Sequence, residues 1–377
     1  MKIIQWIQQE TVLCAAALLA LLSAAFVPPD AQYAGYIDFR TLAILFSLMT
    51  VMAGLRRQGV FEWLGRALLA RSNGTLQLVL TLVGLCFFSS MFITNDVSLL
   101  TFVPFTFVVL SGLDKTTARA LRAPVVCMQT IAANLGSMLT PIGNPQNLYL
   151  YGKSGMPLPE FVRLMLPYTL LSLALLAGWA WLLCCRSGSK ANSAVGTAAA
   201  AEIDSRKKVA LYSVLFGVCL LTVARAVPYP ACFVIVLVCT LAFDRQTLGM
   251  VDYSLIFTFI AFFIFIGNLG RIPAFSAWLQ GMIAGHEVPV AVLASQVISN
   301  VPAALLLSGF TQNTAALIIG TNLGGLGTLI ASMASLISYR QIAREAPAEK
   351  GRYFGLFTGA NILFLIILLA LWAGIGA

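Results

Sequence analysis

Long apolar runs, separated by short polar connectors, follow one another along this chain. A helix of roughly 17 to 25 apolar residues is long enough to cross a lipid bilayer. The pattern therefore predicts a helical protein that crosses the membrane many times. We place nine crossings, at residues 11–27, 37–55, 124–151, 161–185, 209–224, 231–243, 255–269, 315–338 and 353–372.

Two further apolar runs each carry a polar triplet near the middle. The triplets are Thr94-Asn95-Asp96 in the run 76–111 and Ser299-Asn300-Val301 in the run 290–310. We interpret both runs as re-entrant hairpins, which enter and leave the membrane on the same side. Charge supports this, because Lys and Arg concentrate on the cytoplasmic side. With the N-terminus in the cytoplasm and the C-terminus outside, only five of the 23 basic residues fall outside: Arg40, Lys153, Arg163, Arg225 and Arg271.

The run 123–151 is interrupted by residues that do not continue a helix. Its middle contains two prolines and a glycine, at Pro141, Gly143 and Pro145. Backbone without helical hydrogen bonds is tolerated at membrane depth only where protein or a water-filled cavity satisfies its N–H and C=O groups. Such breaks are typical of transporter binding sites. The alternative is a short loop outside the membrane, since proline, glycine and asparagine also favour loops.

The composition, with 59% hydrophobic and 10% charged residues and a mean hydropathy of +0.90, indicates a polytopic membrane protein of an inner or plasma membrane. The first run has no cleavage site and is interpreted as a retained helix rather than a signal peptide. The net charge of +9 fits basic loops on one side of a bilayer and does not require nucleic acid as a partner. The eight cysteines and the single His286 show no metal-binding spacing.

The chain divides into two similar halves at a Ser/Gly/Ala-rich stretch, 186–208, which has the composition of a flexible cytoplasmic linker. Residues 36–64 align with 250–279, with Asp38 opposite Asp252, and residues 132–144 align with 320–332. Because the predicted crossings place Asp38 outside and Asp252 inside, the repeats are inverted, an arrangement typical of secondary transporters.

We therefore predict an all-α polytopic membrane protein with two inverted-topology repeats, each containing a re-entrant hairpin and a broken transmembrane helix. The predicted order is an N-terminal transmembrane helix in 1–35, repeat 1 in 36–185, the linker 186–208, connecting transmembrane helices in 209–249 and repeat 2 in 250–377. The predicted hairpin tips are residues 94–96 and 299–301, and the broken helices span 123–151 and 314–338.

The hairpin tips and the helix breaks predict one shared site of amides, hydroxyls and half-helix ends, with no Lys or Arg at this depth. Asp96 is its only carboxylate. Since an ionised carboxylate is costly inside a membrane, we expect Asp96 to bind a proton or hold a cation. The alternative is that Asp96 caps the second arm of its hairpin, which we expect to begin at Val97.

The residues TPIGNPQN, from Thr140 to Asn147, resemble the T-x-I-G-T/N-P-x-N signature of the divalent anion/sodium symporter family. That family belongs to the ion transporter superfamily, which also holds arsenite permeases and NhaD-type sodium/proton antiporters. The two polar triplets stand where the family has paired Ser-Asn-Thr tips, and the likeness covers the chain from about Tyr36 onward. The closest likeness is to uncharacterised bacterial inner-membrane anion permeases.

Together, the residue pattern and this resemblance assign two groups of residues. The cation-binding group, with sodium as the implied metal, is Ser90, Thr94, Asn95, Asp96, Gly143, Ser295, Ser299, Asn300 and Asn322. The substrate-binding group is Asn95, Asp96, Asn144, Pro145, Asn147, Asn300, Val301 and Ser332. The resemblance also implies a homodimer and an elevator motion of a transport domain.

The function expected is secondary active transport of a small anion across the bacterial cytoplasmic membrane, coupled to sodium or protons, with no other cofactor. A sodium/proton antiporter or an arsenite-type efflux permease is the alternative, because Asp96 and Val301 replace the threonines of the family tips. A tip in which an aspartate follows the asparagine resembles the tips of those two branches more closely. An enzyme would need a catalytic constellation that the sequence does not offer, and a scaffold would not need polar tips. No ATP-binding motif is present.

Overall fold

A computed structural model describes residues 10–70, 72, 74–187 and 203–375. Most of these residues lie in helices, and the described part contains no strand. The helices are Thr11–Phe26 (α1), Tyr33–Tyr36 (α2), Phe39–Arg57 (α3), Val60–Leu69 (α4), Thr75–Ser89 (α5), Asn95–Ser111 (α6), Lys115–Ser137 (α7), Pro145–Ser154 (α8), Leu158–Ser187 (α9), Arg206–Val223 (α10), Tyr229–Asp244 (α11), Tyr253–Gly270 (α12), Pro273–Ile283 (α13), Glu287–Ile298 (α14), Asn300–Ser308 (α15), Thr314–Leu323 (α16), Met333–Glu345 (α17) and Lys350–Ile375 (α18).

Five helical segments of the described chain are long and apolar enough to cross a membrane. They are Phe39–Arg57, Leu158–Cys185, Tyr229–Met250, Tyr253–Gly270 and Pro347–Ile375. A sixth candidate is the pair α13 and α14, which is bent by 112°. Each of the nine predicted crossings corresponds to one helix or one broken pair, so the all-helical membrane fold is confirmed. The total of nine stays a prediction, because the remaining segments are short, interrupted or carry too much charge.

Both predicted hairpins are present as pairs of contacting helices, α5 with α6 and α14 with α15. The start of α6 differs from the prediction, since it begins at Asn95 rather than Val97 and has Thr94 as its N-cap residue. Asp96 therefore lies inside the first turn and does not cap the helix. The reason is local, because the side-chain oxygen of Asn95 accepts the backbone N–H of Asp96 at 3.0 Å. The asparagine thus satisfies a free amide at this helix end.

Both predicted breaks are also present. The first lies between α7 and α8 and the second between α16 and α17. Pro145 occupies the first turn of α8, where its missing N–H costs no helical hydrogen bond. Most residues of the first break are buried inside the protein, which disagrees with an exposed connecting loop. Most of the predicted linker 186–208 lies outside the described residues, and the C-terminal residue Ala377 lies outside them too.

The same order of elements occurs twice, in α3–α9 and in α12–α18. Equivalent contacts connect the halves. The helix α1 precedes the first set and packs on α12 of the second, and the helix α11 precedes the second set and packs on α3 of the first. Two ion pairs repeat this exchange: Arg57 of α3 pairs with Asp244, and Arg271, which follows α12, pairs with Asp30. The inverted orientation of the two copies relative to the membrane stays a prediction.

The two ion pairs differ in burial. Asp244 is 3% exposed and accepts hydrogen bonds from Arg57 at 2.7 Å and Lys208 at 3.0 Å, and the Tyr212 hydroxyl contacts it at 3.2 Å. This cluster joins α3, α10 and α11. In the counterpart, Arg271 and Asp30 are 2.8 Å apart but 35% and 38% exposed, so water screens the pair.

Replacing Asp244 by Asn should lower the stability of the protein, because Arg57 and Lys208 would lose their buried partner. Breaking a buried ion pair costs several kcal/mol, and since these two basic side chains are 29% and 32% exposed, we expect a loss of roughly 2 kcal/mol. Asp30→Asn is the matched control and should change stability little. Thermal unfolding of the purified variants measures both effects, and a wild-type Tm for Asp244→Asn would contradict a stabilising cluster.

Candidate functional site

In each half, the hairpin tip is hydrogen-bonded to the helix break of the same half. The backbone N–H of Asn95 donates to the carbonyl of Gly143 at 3.2 Å, and the N–H of Asn300 donates to the carbonyl of Ala331 at 3.0 Å. Ala331 aligns with Gly143 in the repeat, and sequence reasoning missed it as a site residue. The available signal was that Ala331 stands opposite Gly143, a predicted site residue, in the alignment of the two halves. Both bonds satisfy break carbonyls that have no helical partner.

The break residues return equivalent bonds to the hairpins. Thr140 donates its hydroxyl to the carbonyl of Met91, and Thr328 donates its hydroxyl to the carbonyl of Gln296 at 3.2 Å. The side chain of Gln296 also accepts the N–H of Thr328 at 2.8 Å. Tip and break therefore form one reciprocally bonded unit in each half.

Glycines let the hairpin serines approach the broken helices. A Cβ at Gly136 would lie 2.7 Å from the Ser90 hydroxyl and 2.1 Å from the carbonyl of Phe87, and a Cβ at Gly324 would lie 2.6 Å from the Ser295 hydroxyl. Any larger residue would push the hairpin away. Both serine hydroxyls are buried and donate to carbonyls of their own helices.

Two buried asparagines connect the halves. Asn134 of α7 accepts at its side-chain oxygen from Asn95 at 3.0 Å and from Ser332 of the other half at 2.9 Å. Asn322 of α16, its counterpart in the repeat, accepts from Asn144 at 3.2 Å. Asn322 belongs to the predicted site, whereas sequence reasoning missed Asn134. The alignment of the two residues was the available signal.

Asn144 and Asn147 satisfy the groups around the first break. The Asn144 side-chain oxygen accepts the N–H of Asn147 at 3.2 Å and so caps α8, while its amide nitrogen donates to Ser137 at 3.0 Å. Asn147 accepts from Asn322 at 2.6 Å and donates to two break carbonyls, those of Met138 and Thr140. These contacts hold the positive N-terminal end of α8 next to the tip.

The second tip is a single residue, Ser299, between α14 and α15. Its φ of 72° lies in the left-handed region, which is strained for a serine, and such strain is concentrated at functional sites. Its hydroxyl lies 3.3 Å from the carbonyl of Ala331 and 3.5 Å from the side-chain oxygen of Asn300. The next residue, Val301, is half-buried.

A cavity of about 180 Å³ lies between α3 and the first tip. Among the predicted site residues, Thr94, Asp96, Asn144 and Pro145 line it. The second tip does not line this cavity. The remaining wall consists mainly of apolar side chains: Leu45, Leu48, Met49, Met52, Ala53, Phe92, Val97, Leu100, Ile142, Leu148 and Leu255.

The cavity extends to a basic side chain that the sequence analysis did not include in the site. Sequence reasoning placed no basic side chain in the site, but Arg56 lines the cavity together with Met250 and Asp252. Arg56 follows the apolar run of α3 and reads in the sequence as an ordinary flanking charge. Its position in the cavity results from the packing of α3 against the tip, which local sequence does not reveal.

Several buried polar atoms around the site have no hydrogen-bond partner within the described part of the protein. They are Asp96 Oδ1, Asn134 Nδ2, Ser335 Oγ and both side-chain polar atoms of Gln146. A buried polar atom without a partner is costly, and of these residues Asp96 lines the cavity, where a bound ion or substrate can reach its free oxygen. Nearby N-terminal ends of α6, α8, α15 and α17 favour an anion, and the hydroxyl, amide and carbonyl oxygens suit a cation.

Comparison with known proteins is consistent with this geometry. A family model described as citrate transporter, CitMHS, matches residues 2–316. The inner membrane protein YbiR of Escherichia coli is 32% identical, over 84% of this chain and 83% of the relative. An uncharacterized transporter of Methanocaldococcus jannaschii is 31% identical, over 89% of each chain. The silicon efflux transporter LSI3 of Oryza sativa is 34% identical over 40% of this chain and 29% of its own length.

These relatives confirm the resemblance to ion transporter superfamily permeases and identify a transporter rather than an enzyme. The match covers both hairpin arms of the first half, both sides of its break and the second tip, and so includes most of the residues described above. The chain belongs to the CitMHS citrate transporter family.

Proposed function

We propose that this membrane transporter carries a small anion across the bacterial cytoplasmic membrane, coupled to sodium or protons. The observation that supports this proposal best is the meeting of two hairpin tips with two helix breaks, one of which borders a cavity. Such a site offers positive helix ends to an anion and oxygen atoms to a cation. The inner-membrane name of the Escherichia coli relative supports the location, and a cytoplasmic N-terminus belongs to the proposal.

In this proposal, cation and substrate share the tips. Cation ligands are drawn from Ser90, Thr94, Asn95, Asp96, Gly143, Ser295, Ser299, Asn300 and Asn322. Substrate contacts are drawn from Asn95, Asp96, Asn144, Pro145, Asn147, Asn300, Val301 and Ser332. The position of Asp96 favours a role in coupling transport to a cation or proton, because its carboxylate lines the cavity and one of its oxygens has no partner among the described residues.

An elevator motion of a homodimer is the proposed mechanism. The homodimer follows from the family resemblance, and contacts between the halves favour a common motion of the two tips: α6 of the first hairpin packs on α17, and α15 of the second hairpin packs on α8. Each hairpin is thus attached to the broken helix of the opposite half, so the two tips would move as one body. The surfaces of α3 and α12 would then be the walls past which this body moves.

A second candidate is an efflux permease for a neutral oxyacid such as arsenous or silicic acid. One relative carries silicon efflux in its name. In addition, a carboxylate at the tip repels an anion but does not repel a neutral acid. Uptake of citrate by proteoliposomes favours the first proposal, and transport of silicic or arsenous acid without citrate uptake favours the second.

Asn95→Ala and Asn300→Ala should each abolish citrate uptake in proteoliposomes, because each removes an amide of a hairpin tip. The Asn95 variant also loses its bond to Asn134, so roughly 1 kcal/mol of stability should go with it. Asn361→Ala, at a buried asparagine of α18 whose amide bonds within its own helix, is the matched control and should keep uptake. Near-normal uptake by both tip variants would place the site elsewhere.

Asp96→Asn should lose gradient-driven accumulation of citrate but retain citrate counterflow, because the amide keeps the shape of the side chain without its charge. Asp114→Asn is the control, since Asp114 caps α7 outside the cavity and an asparagine can still cap. Uptake with and without sodium, at two external pH values, measures the coupling. If Asp96→Asn still concentrates citrate with the sodium and pH dependence of the wild type, Asp96 has no part in coupling.

A further inference from the structure

Charged residues with a structural role occur in both halves of this protein. Asp38 and Asp252 cap α3 and α12 by accepting backbone N–H groups at 3.0 and 3.1 Å. Arg57 and Arg271 each form an ion pair with an aspartate that precedes the opposite set of helices. These helix-capping aspartates and paired arginines are therefore present in both halves.

Two charges of opposite sign lack a counterpart, and both line the same cavity. Asp96 aligns with Val301, and Arg56 aligns with Gly270 when Asp38 is set opposite Asp252. The second half forms with an uncharged residue at each of the two equivalent positions. Their common position indicates a role in what the cavity binds.

The guanidinium of Arg56 is available for a ligand. It is half-buried and has no hydrogen bond or ion pair within the described part of the chain, whereas the adjacent Arg57 is engaged by Asp244. Asp252 also lines the cavity, but among the described residues it forms no ion pair with Arg56, and it caps α12 through Leu255. A half-buried cation without a partner gains more from an incoming anion than a fully hydrated one does.

The surroundings of Arg56 strengthen this argument. The residues of α3 that line the cavity before it are apolar and recur at helical spacing: Leu45, Leu48, Met49, Met52 and Ala53. They extend about 16 Å along the helix axis up to Arg56. Arg56 is the one basic side chain among the described residues that line this cavity, and an apolar wall strengthens its attraction for an anion by lowering the local dielectric constant.

We propose that Arg56 is the specificity-determining cation of the cavity, and that its guanidinium binds a carboxylate of the substrate while the hairpin tip binds the substrate's other polar groups. This inference rests on the proposed function, because it assumes that the cavity is the path of an anion. Arginine suits the role, since its planar guanidinium binds a carboxylate with two parallel hydrogen bonds.

The test uses full-length protein in lipid nanodiscs with citrate as the probe, after the ligand-free Tm of each variant has been compared with the wild type. Arg56→Gln should weaken citrate binding about tenfold or more, as expected for a lost charge-assisted contact. Arg56→Lys, which keeps the charge without the planar fork, should weaken it by a smaller factor. Arg245→Gln, at an exposed arginine beyond α11, is the matched control and should bind as the wild type does.

In proteoliposomes, Arg56→Gln should raise the KM for citrate with little change in the maximal rate, whereas a structural defect would lower the maximal rate and the Tm. Citrate binding by Arg56→Gln within about twofold of the wild type would overturn the role of Arg56 and leave the proposed function standing. If Arg56→Gln does not fold, wild-type affinity in Arg56→Lys overturns the bidentate contact. If citrate does not bind to the wild type, the proposed transport of such an anion and this inference both fail.

Discussion

The architecture depends on one constraint, which is that broken helices within an apolar protein leave backbone groups that must be bonded. This chain meets the constraint by placing a hairpin tip against each break. The amides of Asn95 and Asn300 bond to the carbonyls of Gly143 and Ala331. Because each break is bonded to its hairpin, each stabilises the other. The site thus follows from the way in which the fold satisfies its own backbone.

The second level of organisation is the exchange between halves. Asn134 bonds to Ser332, and Asn322 bonds to Asn144, so the last residue of each break contacts the broken helix of the opposite half. These hydrogen bonds connect the two tip-and-break units to each other. The charges that break this internal symmetry, Asp96 and Arg56, line a single cavity, and this asymmetry gives the two halves different chemistry.

Much of the fold could be predicted because its signals are local. Prolines and glycine identify the first break, and polar triplets in apolar runs identify both tips. The missed residues have no local signal: Asn134 lies within an apolar helix, Ala331 acts through its backbone carbonyl, and Arg56 resembles a flanking charge. The start of α6 differed because Asn95, rather than Asp96, satisfies the adjacent amide. Each of these outcomes is decided by tertiary contact or by competition between neighbouring side chains.

The central claim is that the tips and breaks together form the binding site. The most direct measurement is a cryo-electron microscopy structure of the protein in lipid nanodiscs with citrate and sodium, compared with one recorded without citrate. The account predicts citrate density in the cavity, in contact with the first tip at Thr94 and with Asn144 at the N-terminus of α8. Citrate density confined to a surface away from both tips and both breaks, in a preparation that transports citrate, would contradict the claim.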